Sequence, residues 1–179
     1  MANDSLKIIV TGGAGFIGSA FVREALKQKH RVIILDALTY AGHMENISEV
    51  LQPGVCEFEK GSINDLPFVD QVIRKHAPDA FINFAAESHV DNSISGPKAF
   101  IETNILGTFN CLEANKNYFN SLSPEKKHKY KYVQISTDEV YGALGETGKF
   151  HEGMAYQPNS PYSSSKASSD HLARAWFHT

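Results

Sequence analysis

Tyr162 and Lys166 stand four residues apart in Tyr162-Ser163-Ser164-Ser165-Lys166, a spacing that puts a phenol and an ammonium on one helical face. A free tyrosine titrates at about pH 10, too high for a base at neutral pH, and a nearby cation favours the phenolate. Such a pair can take a proton from a hydroxyl while hydride leaves the same carbon, and the lysine can also hold a cofactor ribose. Taken alone, the spacing arises by chance on exposed helices; its meaning comes from what accompanies it. Ser136-Thr137-Asp138-Glu139 is one companion. By itself the Thr-Asp-Glu triplet is a polar turn or helix cap. Beside the tyrosine and lysine it adds two carboxyls, and oxidation at one carbon makes the neighbouring C–H acidic. One carboxyl can remove that proton and the other can protonate a departing hydroxyl, provided their pKa values are driven apart.

The second companion is Thr11-Gly12-Gly13-Ala14-Gly15-Phe16-Ile17-Gly18, which follows the apolar run Leu6 to Val10 and precedes a helical pattern. Strand, glycine turn and helix in that order make a phosphate cradle. Gly12 and Gly15 let a pyrophosphate approach the main chain and Gly18 lets the helix pack close to the strand, while the free N–H groups of the helix start face the anion. The spacing is G-x-x-G-x-x-G rather than the commoner G-x-G-x-x-G, and glycines alone could be an ordinary tight turn. The next strand, Arg31 to Leu35, ends in Asp36. An acid about 20 positions past the glycines suits an adenosine ribose diol and repels a 2′-phosphate, which favours NAD over NADP.

The elements that must position these groups alternate along the chain. Strands are expected over Leu6–Val10, Arg31–Asp36, Val55–Lys60, Ala80–Phe84 and Tyr130–Ser136. Helices are expected over Phe16–Gln28, Ala41–Leu51, from a cap at Asn64 or Asp65 to His76, over Pro97–Phe119, and from Ser160-Pro161 to Phe177. Asn120–Lys129, with its basic run Lys126 to Lys129, is expected as a solvated polar loop, and Gly142–Asn159 as a long functional loop. The apolar positions of the long helix, among them Ile105, Leu106 and Phe109, cover more than one face, so it should pack on the sheet and on something else. Repeated strand–helix units imply an α/β fold, a Rossmann-like doubly wound parallel sheet with helices on both faces. Its ligands bind beyond the carboxyl ends of the strands, where the glycine turn, Asp36, Phe84 to Ser88 and Ser136 to Glu139 all fall.

Composition sets the outer limits. One domain over residues 1–179 is enough for a sizeable core. A net charge of -3 argues against a general nucleic-acid partner. No apolar run in the sequence is long enough to cross a bilayer, and the polar start Met1 to Ser5 lacks the pattern of a signal peptide. Two cysteines, Cys56 and Cys111, are expected as buried free thiols in a reducing cytoplasm. The eight histidines are scattered, so no metal site is expected. His89 has no visible partner and is expected to serve structure.

Taken together, the glycine stretch, Ala85-Ala86-Glu87-Ser88-His89-Val90-Asp91, Ser136 to Gly142 and Tyr162 to Lys166 resemble the dTDP-glucose 4,6-dehydratases, a family of extended short-chain dehydrogenases/reductases. The resemblance spans essentially the whole chain, and the Thr-Asp-Glu triplet is its most specific part. It implies a nucleotide-sugar substrate and a catalytic cycle with NAD. Tyr162 would be the base for oxidation at C4, tuned by Lys166. Glu139 would remove the C5 proton, Asp138 would protonate the leaving C6 hydroxyl, and Thr137 would hydrogen-bond the sugar. Hydride returned to C6 would leave a 4-keto-6-deoxy sugar. The carry-over also implies NAD contacts at Phe16, Ile17, Asp36, Ala37, Leu38, Thr39, Ile63, Phe84, Ala85, Ala86 and Thr103, with Ser88 near the sugar nucleotide. Ser62 stands where the family often has an aspartate that meets the adenine amino group; serine is shorter and neutral, so adenine should be held more weakly.

The resemblance further implies a homodimer formed through the helices containing Ile105 and Ala167, and a C-terminal substrate domain beyond Thr179. The chain is therefore expected to be an N-terminal fragment, truncated before that domain, that binds dTDP-glucose poorly and has weak or no activity by itself. Two other readings stay open: a different nucleotide-sugar enzyme of the superfamily, an epimerase or decarboxylase, and a non-catalytic NAD-binding module.

Overall fold

A computed structural model describes residues 5–179; the polar lead-in Met1 to Asp4 lies outside the described residues. In chain order the structure runs β1 (Lys7–Thr11), α1 (Phe16–Lys27), β2 (Arg31–Asp36), β3 (Cys56–Lys60), α2 (Leu66–His76), β4 (Ala80–Asn83), α3 (Val90–Ser95), α4 (Pro97–Phe100), a π-helical segment (Ile101–Gly107), α5 (Thr108–Ser121), α6 (Pro124–Lys129), β5 (Lys131–Gln134) and α7 (Pro161–His178). The strands form one sheet in the order β3-β2-β1-β4-β5, parallel at every pairing. The chain winds outward from β1 in one direction and then, from β4, in the other. The crevice between β1 and β4 is the point where such a sheet takes its ligand.

Alternation along the strands divides the core in two. Ile9, Ile33, Leu35 and Phe81 face α2 and α5 through Val69, Val72, Ile73, Cys111 and Ala114. Ile8, Val10, Val32, Ile34 and Ile82 face the other way, onto Val22 and Ala25 of α1 and onto Ile47. Successive strand side chains point to opposite faces, so a run such as Ile8-Ile9-Val10 feeds both layers, and helices cover both faces as expected. Both cysteines are free and buried.

Four expectations are corrected. Ala41–Leu51 is not a helix but two single 3-10 turns, Met44–Asn46 and Ser48–Val50. Ile47 between them is fully buried, and the segment is tied down by the Arg23 guanidinium donating to the Asn46 carbonyl (2.5 Å) and the Asn46 amide donating to the Ala14 carbonyl (2.8 Å). Tertiary anchoring of one apolar side chain outweighs local helix preference here. Asn120–Lys129 is not all loop: Pro124 opens the short helix α6, for which a proline at the first helical position is preorganised. The stretch from Pro97 to Ser121 stays helical but widens to π geometry over Ile101–Gly107. Finally, α3 and a 3-10 turn over Asp138–Tyr141 stand where no element was expected. Strand ends shift by at most two residues, within the ordinary uncertainty of element boundaries.

Candidate active site

The glycine turn is built as its spacing requires. Gly12 has φ +65, and a Cβ there would lie 2.7 Å from the Ala85 nitrogen, so glycine alone lets the β1 tip pass the β4 tip. A Cβ on Gly18 would collide with the Gly12 carbonyl, which shows how closely α1 packs on the turn. Gly15 caps α1 without any side-chain hydrogen bond. The first N–H groups of a helix have no partner inside it, and here no cap takes their place. Phe16 and Ile17 beside them are 90% and 63% exposed, apolar surface left open at a helix start.

Asp36, at the end of β2, is buried. Its Oδ2 accepts the Ala14 N–H at 2.9 Å and its Oδ1 the Leu38 N–H at 2.8 Å. The carboxylate therefore staples the glycine turn to the strand beside it. A carboxylate has about four lone-pair sites, so two backbone donors leave capacity for a diol. At the sheet's centre, Thr11 Oγ1 donates to Asn83 Oδ1 at 2.5 Å and Asn83 Nδ2 donates to Gln134 Oε1 at 3.0 Å. This buried chain ties β1, β4 and β5 together beneath the crevice.

A cleft of about 420 Å³ opens over these strand ends. Gly12, Gly15, Phe16, Ile17 and Gly18 form one wall. Asp36, Ala37, Thr39, Ser62 and Ile63 follow along β2 and β3. Phe84, Ala85, Ala86, Ser88 and Thr103 line the β4 side, and Tyr162 and Lys166 close the far end. Residues scattered over 150 positions of sequence are thus brought to one crevice. Leu38 is the exception among the expected cofactor contacts: at φ +54 it turns inward and packs on the apolar cluster beside α1. Ser62 keeps its hydroxyl local, accepting the Asn64 N–H at 3.1 Å. His89 is exposed at the start of α3 and caps nothing with its side chain.

Thr137, Asp138 and Glu139 lie at the rim rather than in the wall. Thr137 Oγ1 accepts the Glu139 N–H at 3.3 Å, starting the 3-10 turn that turns both acids towards Tyr162. Ser160 and Ser163 close a reciprocal capping box at the start of α7, which fixes where Tyr162 enters the cleft. Burial pushes the Tyr162 phenol above its ordinary pKa; a hydrogen bond with Thr137 pulls it down, and the Glu139 and Asp138 charges raise it further. Lys166 is 4% exposed, donates to the Ile135 carbonyl at 2.5 Å, and is lowered by burial while Asp170 raises it. The phenol and ammonium share the cleft as expected.

Sequence reasoning missed Asn104. It is 1% exposed, in the π segment. Its Nδ2 donates to the Glu87 carbonyl (2.9 Å) and to Ser165 Oγ (2.8 Å), and its Oδ1 accepts the Glu87 N–H (2.8 Å). It joins the loop after β4 to the helix bearing Tyr162 and Lys166. An asparagine inside an apolar helix pattern was the available signal, and such widened turns concentrate at functional sites.

A profile of the family described as GDP-mannose 4,6 dehydratase matches residues 9–179. The chain belongs to that family. Among its relatives, a dTDP-glucose 4,6-dehydratase of Xanthomonas campestris is 53% identical over 96% of this chain and 49% of its own length. A crystal structure of dTDP-glucose 4,6-dehydratase from Bacillus anthracis in complex with NAD superposes with a TM-score of 0.82 at 42% identity, covering 97% of this chain and 51% of the other. One from Streptomyces venezuelae, also with NAD bound, gives 0.85 at 41% identity, covering 97% and 52%. The resemblance read from the motifs is borne out, as is the Rossmann-like architecture. This family member spans about half the length of the relatives it matches. No helix among the described residues is long and apolar enough to cross a membrane.

Proposed function

We propose that this chain is the NAD-binding and catalytic part of a dTDP-glucose 4,6-dehydratase. The observation that carries the reading is the meeting of Tyr162, Lys166 and the glycine turn in one cleft, with Thr137, Asp138 and Glu139 held against the phenol. The residues fit NAD: an uncapped helix start for the pyrophosphate, a buried acid for the ribose diol, and a turn whose Gly12 leaves no room for a Cβ. Gly12, Gly15 and Gly18 would face the pyrophosphate, Asp36 the adenosine ribose, and Ser62 the adenine. Ala37, Thr39, Ile63, Phe84, Ala85, Ala86 and Thr103 would flank the cofactor, Leu38 contributing through its backbone. When bound, the nicotinamide supplies the hydride acceptor at C4 and the hydride donor at C6.

The chain's own groups handle the protons. Tyr162, as phenolate, takes the proton of the C4 hydroxyl. Lys166, anchored on Ile135, offers its remaining N–H groups to the cofactor ribose. Thr137 holds the sugar beside the phenol, and Ser88 faces the nucleotide sugar from the cleft mouth. Glu139, half-buried, removes the C5 proton, exchanges it with solvent and then protonates C5. Asp138, nearer solvent, donates its proton to the leaving C6 hydroxyl, which departs as water. The proton gained by Tyr162 and the one given up by Asp138 balance, so these two residues are restored when Tyr162 releases a proton to solvent and Asp138 takes one up.

On the same reading the protein is a cytoplasmic homodimer, joined through the helices that carry Ile105 and Ala167. Exposed Ile101, Leu106 and Phe177 give those helices an apolar outer face.

The test joins this chain to the C-terminal half of the Xanthomonas campestris relative and supplies NAD and dTDP-glucose in heavy water. A product that has lost water and carries solvent deuterium at C5 is expected, with slow or no turnover by the 179-residue chain alone. A product of unchanged mass would instead indicate an epimerase.

A further inference from the structure

Asp170 belongs to none of the motifs above, yet three parts of the site converge on it. It lies one helical turn beyond Lys166 on α7, so the two side chains share a face. Its Oδ2 accepts the Ser136 hydroxyl at 2.5 Å and the Tyr156 hydroxyl at 3.0 Å. Ser136 lines the cleft between Ile135, whose carbonyl holds the Lys166 ammonium, and Thr137, which begins the acidic turn. Tyr156 belongs to the long segment between the acidic turn and α7. There it packs edge-on against Tyr141 (5.3 Å between ring centres) and at a tilt against the His171 ring (5.1 Å). One carboxylate thus binds the tip of β5, the following loop and α7 at a single point.

We infer that Asp170 is a positioning residue, holding Lys166 in its charged form against Ile135 while fixing the acidic turn and the loop around it. The inference rests on the role proposed for Lys166. Its physical need is plain: a lysine 4% exposed loses most of its hydration, which disfavours the ammonium, and the Ile135 carbonyl carries no charge to offset that. The ionisable groups facing Lys166 are few. On α7 itself they are Tyr162 and Asp170. From the acidic turn Asp138 and Glu139 face Tyr162, the loop contributes the Tyr156 phenol, and β5 presents only its backbone carbonyl. Asp170 is the group whose charge raises the lysine. The same carboxylate, after burial, helps to push the Tyr156 phenol up to about 12, so Tyr156 stays a hydrogen-bond donor throughout the neutral range. Ser136 and Tyr156 both donate to Asp170, which keeps the carboxylate aimed.

The experiment follows the Lys166 side chain directly, by carbon NMR of the lysine-labelled chain across alkaline pH, its signal assigned by its absence in Lys166→Met. It requires no turnover. In Asp170→Asn the lysine midpoint should fall, as expected when the opposite charge one helical turn away is removed. In Tyr156→Phe, which removes a tether and leaves the charge, the midpoint should stay where it is. Asp170→Glu keeps the charge and should also retain the midpoint, and it carries the same test if the asparagine variant does not fold. An unmoved midpoint in Asp170→Asn overturns the inference. So does an equal fall in Tyr156→Phe or in Asp170→Glu, since either would make Asp170 a structural tie only. A failure of the dehydratase reading itself would appear as absent turnover in the joined protein, with these titrations unaffected.

Discussion

At the scale of single residues the site is a problem in proton placement. The Tyr162 phenol is raised first by burial and then by Glu139 and Asp138. Replacing Glu139 with glutamine removes one of the raising charges, so the Tyr162 phenol should titrate at lower pH in Glu139→Gln, read as the tyrosinate absorbance lost in a Tyr162→Phe background. The same variant should abolish deuterium uptake at C5 in the joined protein. Tyr162→Phe should lower turnover by roughly 10²–10⁴-fold, the usual contribution of a positioned acid–base group. NAD affinity by calorimetry should remain close to that of the unaltered protein, because the pyrophosphate cradle lies at the other end of the cleft. A turnover loss accompanied by an equal loss of NAD binding would place the phenol among the cofactor contacts instead.

At the scale of elements, the glycine turn and the β3–α2 pair make opposite kinds of demand. Gly12 is constrained by backbone: φ +65 and a main-chain nitrogen 2.7 Å from any Cβ. Gly12→Ala should cost about 1–3 kcal/mol in chemical denaturation, the range for a residue forced into a left-handed conformation, and should weaken NAD binding as the β4 tip moves away. The β3–α2 pair is constrained by charge. Glu59 on β3 accepts from Lys75 Nζ (2.7 Å) and pairs with His76 Nε2 (2.6 Å) on α2. Burial alone would raise the Glu59 carboxyl, but hydrogen bonds from Lys75 and His76, with their charges, hold it below its ordinary value of 4.5. A carboxyl depressed in the folded state stabilises fully above its unfolded pKa and loses that contribution as pH falls through the folded one. Urea midpoints should therefore drop between neutral pH and the region below about pH 4.5, and by less in Glu59→Gln. Equal acid sensitivity in both proteins would show that the pair does not couple β3 to α2. The π segment marks an element whose form no local pattern announced. Its apolar spacing is that of a helix, and in the folded chain Asn104 within it bonds Glu87 and Ser165.

At the scale of the molecule, two apolar layers enclose the sheet, while Leu106, 53% exposed, and Phe177, 84% exposed, remain outside them. On the dimer reading these side chains would lie in the interface. The protein should sediment as a dimer, and Leu106→Asp should shift it towards monomer with an unchanged far-ultraviolet spectrum; a monomer at high concentration of the unaltered chain would overturn the dimer reading. Much of this was legible beforehand. The apolar runs of β1 and β2, the glycine spacing, Asp36 at a strand tip and the Ser160-Pro161 helix start are local signals, because strand burial, turn sterics and helix capping act between residues near in sequence. They determined an α/β sheet, a cofactor crevice and the motifs that line it. What waited for the folded chain were the relations between distant residues: Ile47 breaking a helix to fill the core, Leu38 turned from the cleft, Lys166 anchored on Ile135, and Asn104 and Asp170 tying α7 to its neighbours. Each depends on the charges, donors and voids that meet across the fold, and those are set by how the layers pack.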